Sequence, residues 1–121
     1  MQPLPNIMFG TPRSGKWPKV RQAHLKVQPW CMGCGCSNPT QLEAHHIIPF
    51  WIDKTQELIL DNLITLCSSK SRCHFVIGHL SNWVSWNVNV KKDAAIYFAK
   101  LENKPDGKRI MKSRNASPPK I

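Results

Sequence analysis

The chain has 121 residues, a formal net charge of +10 and five cysteines. That length holds one small domain with a thin apolar core, and no run approaches the roughly 18 apolar residues of a membrane span. The opening MQPLPNIMFGTPRSGKW has no apolar stretch before a cleavage site, so no secretory signal is expected there.

In chain order, residues 1–16 are rich in Pro, Gly and polar groups and predict a flexible basic arm. Residues 18–26 carry a short helical pattern: Pro18 suits a first turn and Pro29 bars continuation. His24 on that helix is expected at the surface or on a phosphate. CMGCGCSNPTQ (31–41) is turn chemistry. LEAHHII (42–48) predicts a strand stopped by Pro49, and a second extended segment centres on residues 63–66. CHFVIGHLSNWVSW (73–86) predicts the start of a helix weakened by Gly78; Trp30, Trp51, Trp83 and Trp86 could stack on bases, but Trp83 and Trp86, three apart, are expected to pack that helix against the core. DAAIYFAKLEN (93–103) predicts a further helix, capped by Asp93, with Ala95, Ile96, Phe98, Ala99 and Leu101 as its apolar positions. Residues 104–121 predict a basic disordered tail, which leaves 17–103 as the folded domain.

Charge is distributed unevenly. Residues 1–30 hold five basic and no acidic residues, 31–90 three basic and four acidic, and 91–121 nine basic and three acidic. A near-neutral centre between two basic flanks fits a compact site held against a polyanion, and so points to nucleic acid.

The cysteines are Cys31, Cys34, Cys36, Cys67 and Cys73. An odd count and a CxxC step argue against a disulfide framework and for thiolates on a metal in a reducing cytoplasm. Cys31 and Cys34 supply two tetrahedral ligands from a tight, Gly-rich turn; Cys67 and Cys73 can supply the other two across a short loop. Cys36 is then spare, with a Cys34/Cys36 pairing left open. Structural Zn²⁺ in such a site would add folding free energy on the order of 10 kcal/mol, offsetting the thin core.

Side chains of adjacent strand residues point to opposite faces. His45 and His46 can therefore divide two tasks: one imidazole ligates a cation while the other, with an ordinary pKa near 6.5, serves as a base. Glu43 shares a face with His45 and is either an acid supporting a metal ligand or simply an exposed strand residue, the second reading being preferred. Asn62 on the second strand can hold a neighbouring backbone or ring, and His74 follows Cys73 directly, so one residue can serve the zinc and the next a second metal.

The pieces CMGCG, EAHHIIP, DNLITLC and CHFVIGH, in that order, resemble the HNH endonuclease family over about residues 17–80. The resemblance implies an α+β fold, a small ββα-metal core with a zinc knuckle and flanking helices. It implies His45 and His74 as ligands of a catalytic divalent ion (Mg²⁺, Mn²⁺ or another), His46 as general base and Asn62 as the residue that orients it. His45 stands where other members often carry Asp. His79 is either a third ligand or a phosphate contact, because it lies five residues from His74 and an ideal helix would separate them by about 140°. The implied activity is hydrolysis of DNA phosphodiesters, nicking one strand at a time, in a protein of phage or mobile-element type with packaging or mobile-element partners. A non-catalytic zinc-containing nucleic-acid-binding module and an RNase with the same core are the rival readings.

Overall fold

The computed structural model describes residues 13–103. Most of the expected basic arm (1–12) and the expected basic tail (104–121) lie outside the described residues.

An α-helix, α1 (Trp17–Val27), opens the described part, with Pro18 in its first turn as the sequence predicts. The cysteine turn and a 3₁₀ turn (Pro39–Gln41) lead into strand β1 (Leu42–His46). A loop with two 3₁₀ turns (Lys54–Gln56 and Leu60–Asn62) returns the chain to strand β2 (Leu63–Cys67). The strands pair antiparallel in a two-stranded sheet, with Leu42 opposite Cys67 and His46 opposite Leu63. A π-helical turn (His74–Gly78) follows, and α2 (Val90–Lys100) closes the domain. This is an α+β arrangement.

All five residues of β2 are buried, because α1 packs on one side and the π turn on the other. The core gathers Trp30, Leu42, Ile64, Leu66, Val90 and Ala94 around the buried thiols of Cys31, Cys67 and Cys73. Among the described residues no helix is long and apolar enough to cross a membrane.

Four expectations change. His24 is buried, not exposed: its Nε2 lies 3.0 Å from Thr65 Oγ1, and burial, then Lys91, pushes its pKa down to about 4. The helix expected over 73–86 is only the single π turn, because Leu80 and Ser81 take left-handed φ angles of 55° and 62° and reverse the chain. α2 starts at Val90, so Asp93 is not its cap; its carboxylate accepts from Asn87 Nδ2 at 2.7 Å. The buried stripe of α2 is Val90, Ala94 and Phe98, continued by Leu101, whereas Ala95, Ile96 and Ala99 face solvent. The stripe holds a helical period that a start at Asp93 conceals.

Candidate active site and metal centres

Two groups of ligating side chains assemble among the described residues: Cys31, Cys34, Cys67 and Cys73, and His45, His74 and His79, with all ligand atoms of each group within 4.8 Å of one another.

The cysteine group grows from the turn after α1. Gly35 N–H bonds Cys31 O at 2.9 Å, and Gly35 takes φ 81°, which closes the knuckle. The Gly33 and Cys34 amides point at Cys31 Sγ, at 3.3 and 3.4 Å. Met32 N–H bonds Thr65 O at 2.9 Å and docks the knuckle on β2 beside Cys67. Gly33 faces Cys73 so closely that a Cβ there would lie 2.9 Å from Cys73 Sγ. Cys36 stands apart, with Sγ on Gln41 Oε1, so it is the spare thiol.

Hydrogen bonding with Cys31 holds the Cys34 thiol down to about 6 and Cys67 well below the thiol range, while Cys31 (through Cys34) and Cys73 (through Cys31) are driven up. Four thiols this close cannot all ionise alone, and one dication lets them do so. Sulfurs around one tetrahedral zinc lie about 3.8 Å apart, from Zn–S bonds of about 2.3 Å. The buried cluster, with amides aimed at one sulfur, fits a metal such as zinc.

The histidine group brings together β1 and the π turn. In an α-helix, residues 74 and 79 would point apart. Here the His79 amide bonds His74 O at 3.1 Å, the wider π turn, and both rings come to the same side. Ring centroids of His45, His74 and His79 are 4.9 Å apart in every pair. The turn passes tightly over His45 because Gly78 has no side chain; a Cβ there would lie 3.0 Å from His45 Cε1.

Each ring is prepared to give a lone pair. His45 is buried and pushed down to about 2, first by burial and then by its histidine neighbours, so it is neutral. Its Nε2 is buried without a hydrogen-bond partner, and an orphaned imidazole nitrogen facing two further imidazoles fits a metal ligand. His79 Nδ1–H donates to Ser85 O at 2.8 Å, leaving Nε2 as the acceptor, and burial lowers its pKa. His74 Nδ1 pairs with the Glu43 carboxylate, which is therefore a partner of the site and not a bystander. A carboxylate on the far nitrogen of a ligating imidazole fixes its tautomer and orientation.

His46 is separate from this trio. Its Nε2–H donates to Glu57 O at 2.9 Å, which leaves Nδ1 with the lone pair. Trp17 packs on the ring at 4.5 Å, and burial holds its pKa below the ordinary value. Asn62 acts at a distance. Its side chain accepts from Ile48 N–H (2.8 Å) and donates to Ile48 O (3.0 Å) and Gln56 O (3.1 Å), so it clamps both ends of the loop that presents the Glu57 carbonyl.

A cleft of about 430 Å³ joins these parts, lined by four consecutive residues, Glu43 to His46, with His74, His79, Arg13 and Arg21. Because β1 pairs with β2 on one side only, the cleft runs along its other edge, where side chains from both faces can reach it. His45 and His46 thus belong to one cleft although they alternate on the strand.

Sequence reasoning missed Glu57, Trp17 and Arg13. Arg13 pairs with Glu57 at 3.9 Å and its guanidinium lies 4.7 Å from the Phe50 ring centroid. None has a local signal, since each acts only through a loop folded back onto α1.

Residues 31–75 match the family model described as HNH endonuclease. The match spans the cysteine knuckle, both strands and His74; His79 lies beyond it and stands on geometry alone. The chain matches no curated protein and no solved structure.

Proposed function

Because residues 31–75 match the HNH endonuclease family model, we propose that the protein is a metal-dependent DNA endonuclease with His46 as general base. The observation that carries this reading is the fixed tautomer of His46: its Nε2–H is committed to the Glu57 carbonyl, which leaves the lone pair on Nδ1 of a residue lining the same cleft as three converging imidazoles.

His45, His74 and His79 would hold a divalent ion, with Mg²⁺ or Mn²⁺ as candidates and softer ions also suited to imidazole. When bound, the ion would stabilise negative charge developing on the phosphate. The cysteine group would hold structural Zn²⁺. His46 Nδ1 takes a proton from water, and the hydroxide oxygen attacks phosphorus in line. The P–O3′ bond breaks; the leaving oxygen takes a proton from solvent, and the products carry a 5′-phosphate and a 3′-hydroxyl. The lowered His46 pKa keeps the ring neutral near pH 7, the form that accepts a proton. Trp17 and the Glu57 carbonyl keep the ring oriented, and Arg13 and Arg21 add positive charge to the cleft wall for the phosphate backbone.

Purified protein with supercoiled plasmid and a divalent ion tests this. Wild type is expected to nick, and His46→Ala to fold and keep its metal while cleavage falls by about 10²-fold or more. The rate should rise with pH through the His46 titration, below the ordinary histidine value, and level off near neutrality. Undiminished nicking by His46→Ala would remove His46 from the reaction, and parallel RNA substrates separate DNase from RNase.

A further inference from the structure

Trp83 is not part of the core. It is 57% exposed, yet its ring is fixed over the histidine group, with centroids 4.9 Å from His79, 5.5 Å from His74 and 4.8 Å from Phe75. The chain holds it there at a cost. Leu80 and Ser81 are consecutive non-glycine residues in the left-handed region, each worth on the order of 1 kcal/mol of strain or more. That reversal is pinned by Ser81 N–H on Phe75 O at 2.9 Å and by the His79 ring on Ser85 O at 2.8 Å. Strain that leaves a large aromatic ring in water beside a metal-ligating cluster serves something other than burial.

Beyond Trp83 the surface continues as a second hollow of about 280 Å³, bounded by Trp83, Phe75, His74 and Arg72. The Arg72 guanidinium lies 4.7 Å from the Phe75 ring centroid, and Arg72 also has a left-handed φ, of 48°. Trp83 lines both this hollow and the main cleft. A phosphate seated at the imidazoles carries its nucleoside one bond away, so the adjoining hollow offers a flat apolar wall to the base and a cation to the next phosphate.

We propose that Trp83 is a stacking platform for an unpaired nucleobase flanking the scissile phosphate, braced by Phe75 and Arg72. The proposal rests on the nuclease reading of the cleft. It implies a preference for single-stranded or locally opened substrate, because a base still stacked in a duplex cannot lie on the indole. Stacking is tolerant of base identity, so the platform selects strand structure and not sequence.

The test compares binding, by fluorescence anisotropy without divalent ion, of oligothymidylate and of an abasic phosphodiester of the same charge, each of about 20 nucleotides. Wild type is expected to prefer the base-bearing strand by about tenfold. Trp83→Ala should cut that preference by about fivefold or more while leaving affinity for the abasic strand unchanged, and Trp83→Phe should keep most of it. Absence of a preference in wild type, an unchanged preference in Trp83→Ala, or an equal loss on both strands would overturn the platform. Plasmid nicking measured alongside separates the two readings. A His46-dependent nickase with no base preference loses only the platform; a protein that cleaves nothing yet shows the Trp83-dependent preference loses only the nuclease.

Discussion

Gly78→Ala isolates the contact that sets the position of His45. A Cβ at 78 would lie 3.0 Å from His45 Cε1, 3.2 Å from His45 Nδ1 and 3.1 Å from Leu66 Cδ1. Comfortable carbon contacts are about 3.5–4.0 Å, so the imidazole must retreat by about half an ångström. Leu66 is fully buried and blocks a sideways escape. Overpacking of this kind costs about 1–3 kcal/mol, and alanine recovers about 0.5–1 kcal/mol of the glycine penalty in a helical turn. The fold should therefore survive with a loss of about 0–2.5 kcal/mol. Metal ligation is less forgiving, since bond lengths tolerate about 0.2 Å. Affinity for a divalent ion at the histidine group should fall by about 10- to 100-fold, the scale seen when a ligand's supporting contact is lost. Calorimetric titration of Mn²⁺ or Ni²⁺ into zinc-loaded protein measures it, with Gly15→Ala, which meets nothing within 4 Å, as the control. Wild-type ion affinity in a folded Gly78→Ala protein would refute the claim that the bare turn seats His45.

The cysteine group should behave oppositely: Cys31→Ser, or Gly33→Ala with its Cβ 2.9 Å from Cys73 Sγ, should lose its bound metal, which elemental analysis is expected to give as zinc, and unfold by circular dichroism. His24 predicts acid sensitivity. Its folded-state pKa is about 4 against 6.5, so the unfolded chain takes up a proton first as pH falls, and the stabilisation present above pH 6.5 drains away towards pH 4. At pH 5 the loss from this group is about 2 kcal/mol relative to pH 7.5; urea unfolding of His24→Gln should show an acid loss smaller than that of wild type by about this amount, the remainder coming from the other buried histidines. Asn62→Ala removes three bonds from the loop behind His46, and about 2–4 kcal/mol of stability should go with them. Its nicking rate should fall even at temperatures where the protein is fully folded, because the Glu57 carbonyl no longer holds the His46 tautomer.

Much of the architecture is local and therefore legible in the residues themselves. The CxxC step in a Gly-rich turn, the two short apolar strands and the order of His45, His46, Asn62 and His74 all depend on spacings of a few residues. Tertiary packing decided the rest. Whether His79 could join His74 hinged on a π turn, which is set by Gly78 passing over His45 and by left-handed Leu80 and Ser81, not by the helical periodicity of 73–86. Trp83 follows a helical pattern and yet stands over the histidines, because the chain reverses before reaching it. His24, a plausible surface cation on α1, is buried neutral once Thr65 of β2 meets it. Glu43 and Glu57 look alike as isolated acids; one carboxylate holds His74, and the backbone carbonyl of the other holds His46. Periodicity and spacing encode which atoms lie near each other along the chain, while the tautomer and charge of His24, His46 and His74 depend on a partner brought from 11 to 41 residues away.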